Sequence, residues 1–332
     1  MSGGIIRGVR IAGLGVYVPE RVLTNEEISR TLDTSDEWIR TRTGIRERRV
    51  AALHQAPSDL GAEAGKGALE RAGVRAQDVD LVICASLMPD MVFPATAATI
   101  ADRLGAVRAG AFDVQAGCSG FVFALACAAS FVGSGAFARI LVVGAETVTR
   151  ALDWQDRSTC ILFGDGAGAA VVTAGDQVDM VFDLGTNGAG VSILNMPAGG
   201  AKLPASQRTL DERLHYLQMN GREVFRFATR AVAESCNAVL ELAGLSMKDV
   251  DLFVPHQANL RIIANVARRL GLPPERVVTN LDRYGNTSCA SIPLCLADAE
   301  QSGRLKDGDR LLLAGFGAGL SWGTCITTWK LT

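Results

Sequence analysis

Residues 69–83 of the chain read LERAGVRAQDVDLVI, and residues 240–254 read LELAGLSMKDVDLFV. The two align without a gap, with Leu, Glu, Ala, Gly, Asp, Val, Asp and Leu at matching places. Each copy passes from an Ala- and Leu-rich helical run into a short apolar strand. Further on, IADRLG (100–105) parallels VARRLG (266–271), and RILVVGAE (139–146) parallels RLLLAGFG (310–317), in the same order and at nearly the same offset. Self-similarity at so long a period is not a solenoid. It predicts two copies of one α/β unit meeting about a pseudo-twofold axis. The loop-like TAGDQVD (173–179) sets the boundary, dividing residues 1–175 from residues 176–332.

Working outward, apolar strand-like runs such as VRIAGLGVYV and VDLVICAS alternate with helical stretches such as LGAEAGKGALERAG and SGFVFALACAASFV. That order predicts an α/β fold with parallel strands joined by helices. The nearly continuous Val/Ile/Leu content of the strands predicts sheets covered on both faces. With 332 residues the chain has ample length for a core, and 33 basic against 35 acidic residues leave a charge of −2. So balanced a charge gives no global field for nucleic acid or an anionic membrane, and any anionic partner needs a local patch. The first residues, MSGGIIRGVRIAG, lack a secretory signal's apolar core, and no run approaches the ~18 uninterrupted apolar residues of a membrane span. A soluble, cytoplasmic protein is expected. None of the eight cysteines forms a C-x-x-C pair, so most read as buried small hydrophobes and no metal site is expected.

Cys118 is different. In DVQAGCSGF (113–121) it stands between Gly117 and Gly120, where a strand gives way to a helix. A helix start stabilises a thiolate through the dipole and unpaired backbone N–H groups, so a pKa below the usual ~8.5 and a nucleophilic role are expected. The duplication brings two further groups to the same place. His256, in DLFVPHQAN, follows the strand equivalent to LVICAS, and Asn286, in YGNTS, opens the element equivalent to the one that begins at Cys118. All three are expected at the carboxyl ends of strands, where α/β sheets hold ligands. A papain-like protease also combines Cys, His and Asn, but nothing around Cys118 resembles that family's local signature. The other chemistry open to the set is carbon–carbon bond formation: Cys carries an acyl group as a thioester, and His and Asn hydrogen-bond a carbonyl whose decarboxylation leaves an enolate. The glycine-rich GFGAGLSWG (315–323) is placed to bring a backbone N–H beside Cys118. IAGLGVYVP and FGDGAGAAV do not fit a dinucleotide-binding G-x-G-x-x-G, and their glycines read as tight sheet packing.

TSDEWIRTRTGIRER (34–48), AFDVQAGCSGF (111–121), FGDGAGAAV (163–171), VPHQANLRII (254–263), DRYGNTS (282–288) and GFGAGLSWG (315–323) together resemble the thiolase superfamily, specifically β-ketoacyl-[acyl-carrier-protein] synthase III, over essentially the whole chain. The resemblance implies a thiolase-like fold layered αβαβα and a Cys118–His256–Asn286 triad. Elongating relatives use two histidines, and no second histidine here lies in a matching motif. The implied enzyme is therefore an initiating acyltransferase that condenses an acyl-CoA primer with malonyl-acyl-carrier protein, needing no metal or redox cofactor. Relatives that prime polyketide synthesis or transfer acyl groups without condensation are the alternative. By the same resemblance Trp38 and Arg157 sandwich the adenine of CoA, Arg42 meets a CoA phosphate, and Arg222 lies at the CoA site where a smaller polar residue is usual. The Cys118 and Ala318 N–H groups form an oxyanion hole, with Ala318 standing where glycine is common. Arg261, Arg268 and Arg269 dock the acidic carrier protein. Phe93, in DMVFPAT, crosses a homodimer interface to close the partner's acyl pocket.

Overall fold

The computed structural model describes residues 3–330. Eight strands build the large sheet: β1 (Gly3–Tyr17), β2 (Leu81–Ala85), β3 (Gly110–Val114), β4 (Arg139–Glu146), β5 (Gly166–Thr186), β6 (Leu252–Pro255), β7 (Arg310–Gly317) and β8 (Ser321–Thr328). In the first half the order is β3-β2-β4, then the leading part of β5 and the trailing part of β1. In the second it is β6-β7-β8, then the trailing part of β5 and the leading part of β1. The counterpart of β3 is reduced to a single parallel bridge, Phe253 to Val277.

The two copies of the opening motif fold alike. Helices α2 (Pro57–Ala72) and α4 (Gly221–Ala243) end at Gly73 and Gly244, with φ of 63° and 68°. This left-handed turn favours glycine and ties off the last carbonyls. Val74 N–H then reaches back to the Leu69 carbonyl, and Leu245 N–H to that of Leu240. The closing aspartates match as well: Asp80 accepts from Arg139 N and Asp251 from Arg310 N, each at 2.8 Å. Each carboxylate thus pins its strand beside the next one in the same half.

TAGDQVD is not a loop. It lies inside β5, which leaves the β4 ladder at Thr173 and joins the β8 ladder at Met180. Opposite it, the pairing with β1 jumps from Val9–Ala174 to Arg7–Asp179. The turn-forming Gly175 and Asp176 therefore make a bulge, held in the strand because β1 pairs on either side of it.

Helix α3 (Gly120–Gly133) is apolar on every side and touches strands of both halves. A helix without a polar face must be covered all round. Together with α6 (Ser291–Gln301) it forms the middle layer. On the outside, α2 and Thr96–Leu104 cover the first half, and α4 and α5 (Leu260–Arg269) cover the second. The result is the layered αβαβα arrangement. Phe121 in α3 is fully buried, which contributes about 1.5–3 kcal/mol of hydrophobic stabilisation. Through this layering the carboxyl ends of β3, β4, β6 and β7 point to one central region.

Candidate active site

Cys118 follows β3 and lies two residues before α3, His256 follows β6 directly, and Asn286 follows the short helix Leu281–Tyr284. All three are buried. One residue the sequence reading passed over, Ser288, touches the surroundings of each. Its hydroxyl pulls the pKa of the Cys118 thiol down and lies 3.9 Å from the Cys289 sulfur. Its N–H donates to Asn286 Oδ1 at 2.8 Å. Its carbonyl accepts from the Ser291 hydroxyl at 2.8 Å, and that hydroxyl lies 2.7 Å from His256 Nδ1. Ser288 has a φ of 49°, a left-handed conformation that costs a non-glycine residue about 1–2 kcal/mol. The structure therefore links His256 and Asn286 through Ser291 and Ser288, and the Ser288 hydroxyl also acts on the Cys118 thiol.

The bonds leave each side chain with a free chemical function. With Oδ1 held by Ser288, the Asn286 NH2 group remains as donor. With Nδ1 held by Ser291, the free ring nitrogen of His256 is Nε2, and the ring packs edge-on against Phe316 at 5.2 Å. Burial pushes the His256 pKa down to about 3, so the ring is neutral. Burial pushes the Cys118 thiol up to about 12; the Ser288 hydroxyl pulls it down and the Glu146 carboxylate adds to the rise. The expected fall below the ordinary thiol range is not found, because the sulfur is desolvated at its helix start. Cys118 rests as a thiol, and its reaction requires a proton acceptor.

Glu146, at the end of β4, is also fully buried, with its pKa raised by desolvation. It accepts from Leu87 N at 2.9 Å, from Met88 N and Ser86 Oγ at 3.3 Å, and from Cys289 N at 3.4 Å. It thereby links the turn after β2 to the Asn286–Cys289 turn. An acid ending an otherwise apolar strand, RILVVGAE, was the available signal for it.

The glycine-rich strand end meets the nucleophile turn backbone to backbone. A Cβ on Gly317 would lie 2.4 Å from Cys118 N, and one on Gly117 would lie 2.6 Å from Ala318 N. Only glycine permits this approach, which packs the Gly317–Ala318 backbone directly against that of Gly117–Cys118. Ser119 and Ser321 join the two segments at 2.8 Å between hydroxyls, and Ser321 Oγ also lies 2.8 Å from the Ala116 and Ala318 carbonyls. Beside them opens a cavity of about 480 Å³, lined among others by Leu87, Met88, Phe123, Leu217 and Ala318.

A family model described as 3-oxoacyl-[acyl-carrier-protein (ACP)] synthase III matches residues 112–188, and its C-terminal counterpart matches residues 240–329. The first segment contains Cys118; the second contains His256 and Asn286. The β-ketoacyl-[acyl-carrier-protein] synthase III of Symbiobacterium thermophilum is 52% identical over 98% of this chain and 99% of its own. The chain belongs to the synthase III family. Among solved structures, the Aquifex aeolicus 3-oxoacyl-[acyl-carrier-protein] synthase III aligns with a TM-score of 0.90 at 43% identity, covering 97% of this chain and all of that one. The Thermus thermophilus β-ketoacyl-[acyl-carrier-protein] synthase III gives 0.88 at 46%, with the same coverage.

Elsewhere on the synthase III chain, Trp38 lies in α1 (Asp36–Thr43) with the Arg157 guanidinium 4.7 Å and the Arg42 guanidinium 5.2 Å from its ring centre. Arg157 also bonds the Asp33 carbonyl. No ring fits between Trp38 and Arg157 as they stand, since each stacked layer needs about 3.5–4 Å. The expected sandwich is closed here, and admitting an adenine requires Arg157 to swing off the indole. Arg42, Arg222 and Arg261 converge on a second cavity of about 580 Å³. Asn259 ties α1 to α5 there, donating to the Arg42 carbonyl at 3.2 Å. Arg268 and Arg269 lie exposed in the last turn of α5, with Arg269 Nε bonded to Asn265. Phe93 does not line the cavity of its own chain; it is 81% exposed, next to an equally exposed Val92.

Proposed function

We propose that the chain condenses an acyl-CoA primer with malonyl-acyl-carrier protein, giving 3-oxoacyl-acyl-carrier protein, CoA and carbon dioxide, the step that starts type II fatty acid synthesis. The observation that carries the assignment of roles is the run of hydrogen bonds from Asn286 through Ser288 and Ser291 to His256, which joins an amide donor and a neutral imidazole through the residue whose hydroxyl acts on the buried Cys118 thiol. Cys118 attacks the primer thioester. Its developing oxyanion is met by the Cys118 and Ala318 N–H groups. After CoA leaves, the malonyl thioester enters, and the Asn286 NH2 and His256 Nε2 hydrogen-bond its carbonyl. Loss of carbon dioxide leaves the electron pair on that enolate, which attacks the acyl-cysteine and expels the Cys118 sulfur.

Trp38 and Arg157 hold the adenine, and Arg42 and Arg222 the phosphates of CoA. Arg261, with Arg268 and Arg269, receives the acidic carrier protein in this second cavity's surroundings. The chain works as a homodimer, in which Phe93 leaves its own exposed loop and closes the acyl pocket of a second copy. A cytoplasmic location suits these partners, and among the described residues no helix is long and apolar enough to cross a membrane.

Intact-protein mass spectrometry after exposure to a panel of acyl-CoAs tests the reading. One acyl mass is expected on Cys118, discharged as 3-oxoacyl-carrier protein once malonyl-carrier protein is added. Release of free acid instead identifies a thioester hydrolase and overturns it. Trp38→Ala is expected to raise KM for acyl-CoA about tenfold, the worth of one stacked base, with kcat nearly unchanged. Equal KM values in steady-state assays refute the stacking role.

The two shifted groups also fix a pH dependence. Cys118 loses its proton only near 12 and His256 gains one only near 3, so the reactive pair, thiol plus neutral imidazole, keeps one protonation state between these limits. The acylation rate is expected to be flat from about pH 6 to 9. A rapid-quench profile with a limb in that range refutes a thiol–imidazole resting pair.

A further inference from the structure

The Ser291 hydroxyl has one proton and two neighbours, the Ser288 carbonyl at 2.8 Å and His256 Nδ1 at 2.7 Å. A carbonyl oxygen only accepts, whereas an imidazole nitrogen accepts or donates according to its tautomer. When the hydroxyl donates to Ser288, its oxygen is left to accept, and Nδ1 must carry the hydrogen. The ring is neutral, so Nε2 is then bare. Ser291 is itself fixed as the first residue of α6, and Ser288 by its bond to Asn286. With the Ser291 hydroxyl donating to Ser288, the chain of donors runs in one direction: His256 Nδ1–H to Ser291, and Ser291 O–H to the Ser288 carbonyl.

We propose that Ser291 is a positioning residue that holds resting His256 as its Nδ1–H tautomer, so that Nε2 is the acceptor for the Cys118 proton. The inference rests on the condensing reaction argued above and adds the base for its first half. As the Cys118 sulfur bonds the acyl carbon, its proton moves to Nε2. As the bond from that carbon to the CoA sulfur breaks, the electron pair leaves on the CoA sulfur and Nε2 returns the proton to it. The ring ends as it began, and no other reactant is consumed. In the condensing half the ring is asked for a hydrogen bond from Nε2 instead. The same hydroxyl, turned from Ser288 toward Nδ1, satisfies that second tautomer too. A serine serves either state where a carboxylate or a backbone N–H at this place serves only one. The resting enzyme holds the first.

The test has two arms. The chain has three histidines, so a ¹⁵N-histidine multiple-bond NMR spectrum of the whole wild-type protein contains three rings, assigned with His54→Gln and His215→Gln. The His256 ring is expected to show hydrogen on Nδ1 and none on Nε2; the reverse pattern overturns the proposal whatever the enzyme's activity. In the second arm, CoA release from acyl-CoA without malonyl-carrier protein is followed in single turnover. Ser291→Ala is expected to slow it about a hundredfold with KM for acyl-CoA unchanged, and Ser291→Thr to restore it. An undiminished rate in folded Ser291→Ala overturns the base assignment. Absence of CoA release from wild-type protein with any acyl-CoA refutes the enzymatic reading instead, and the spectrum still decides the tautomer.

Discussion

Cys118→Ala is expected to give a folded protein that takes no acyl group. The residue is buried, and losing one sulfur from a packed site costs about 1 kcal/mol, too little to unfold a chain of this size. Chemically the loss is complete: His256 and Asn286 are too weakly nucleophilic, as neutral imidazole and amide, to hold a primer in place of a thiol. The condensation rate is expected to fall by about 10⁶-fold, as when other enzymes lose a covalent nucleophile. Mass spectra of the variant after acyl-CoA treatment should show the unmodified chain alone. An acyl adduct on Cys118→Ala would place the nucleophile elsewhere, with Cys289, whose thiol donates to the Gly117 carbonyl at 3.1 Å, the first to be tested.

Asn286→Ala is expected to separate the two half-reactions. Acyl transfer to Cys118 should persist, since in the proposed mechanism the oxyanion formed there is met by backbone N–H groups rather than by Asn286. Decarboxylation of the malonyl thioester should fall about 10²–10³-fold, the usual effect of removing one donor from a developing oxyanion. Asn286 also holds the Ser288 N–H, so the alanine variant frees a turn that carries left-handed strain. Asn286→Asp separates these effects: it keeps an oxygen for Ser288 while removing the NH2 donor. If donation is what matters, the aspartate variant fails as badly as the alanine one in a ¹⁴C-malonyl decarboxylation assay. If either variant releases carbon dioxide at the wild-type rate, the enolate-stabilising role is wrong.

Much of this was legible in the letters. The repeated LE-AG-DVDL pattern predicted matching helix ends and strands, and Gly73 and Gly244 adopt the same left-handed turn at its centre. The same symmetry, with no contact known, put Cys118 and His256 after matching strands; Asn286, expected at a strand end as well, instead follows the short helix Leu281–Tyr284, because the strand before it is reduced to one bridge. What the sequence could not carry were properties of the assembled neighbourhood. Cys118 was read from its helix start, which favours the thiolate, while the opposing desolvation exists only once α3 is covered by strands of both halves. TAGDQVD has turn composition, and only its pairing with β1 makes it strand. Ser288 and Ser291 are ordinary in composition and gain their importance from a backbone angle and from reach across three residues. Trp38 and Arg157 read in sequence as two walls of a nucleotide site, and in the fold the guanidinium stacks on the indole itself.

The uninterrupted run of β5 from one ladder to the other has a consequence for how the molecule bears load. Cys118 comes from one repeat and His256 and Asn286 from the other, and in many two-lobed enzymes such halves would hinge apart and close on each turnover. Here one extended strand is woven into both lobes and β1 pairs with it on either side of the bulge, so two strands cross that seam together. Entry and exit of substrates are then expected to fall to side chains and surface loops rather than to a parting of the lobes.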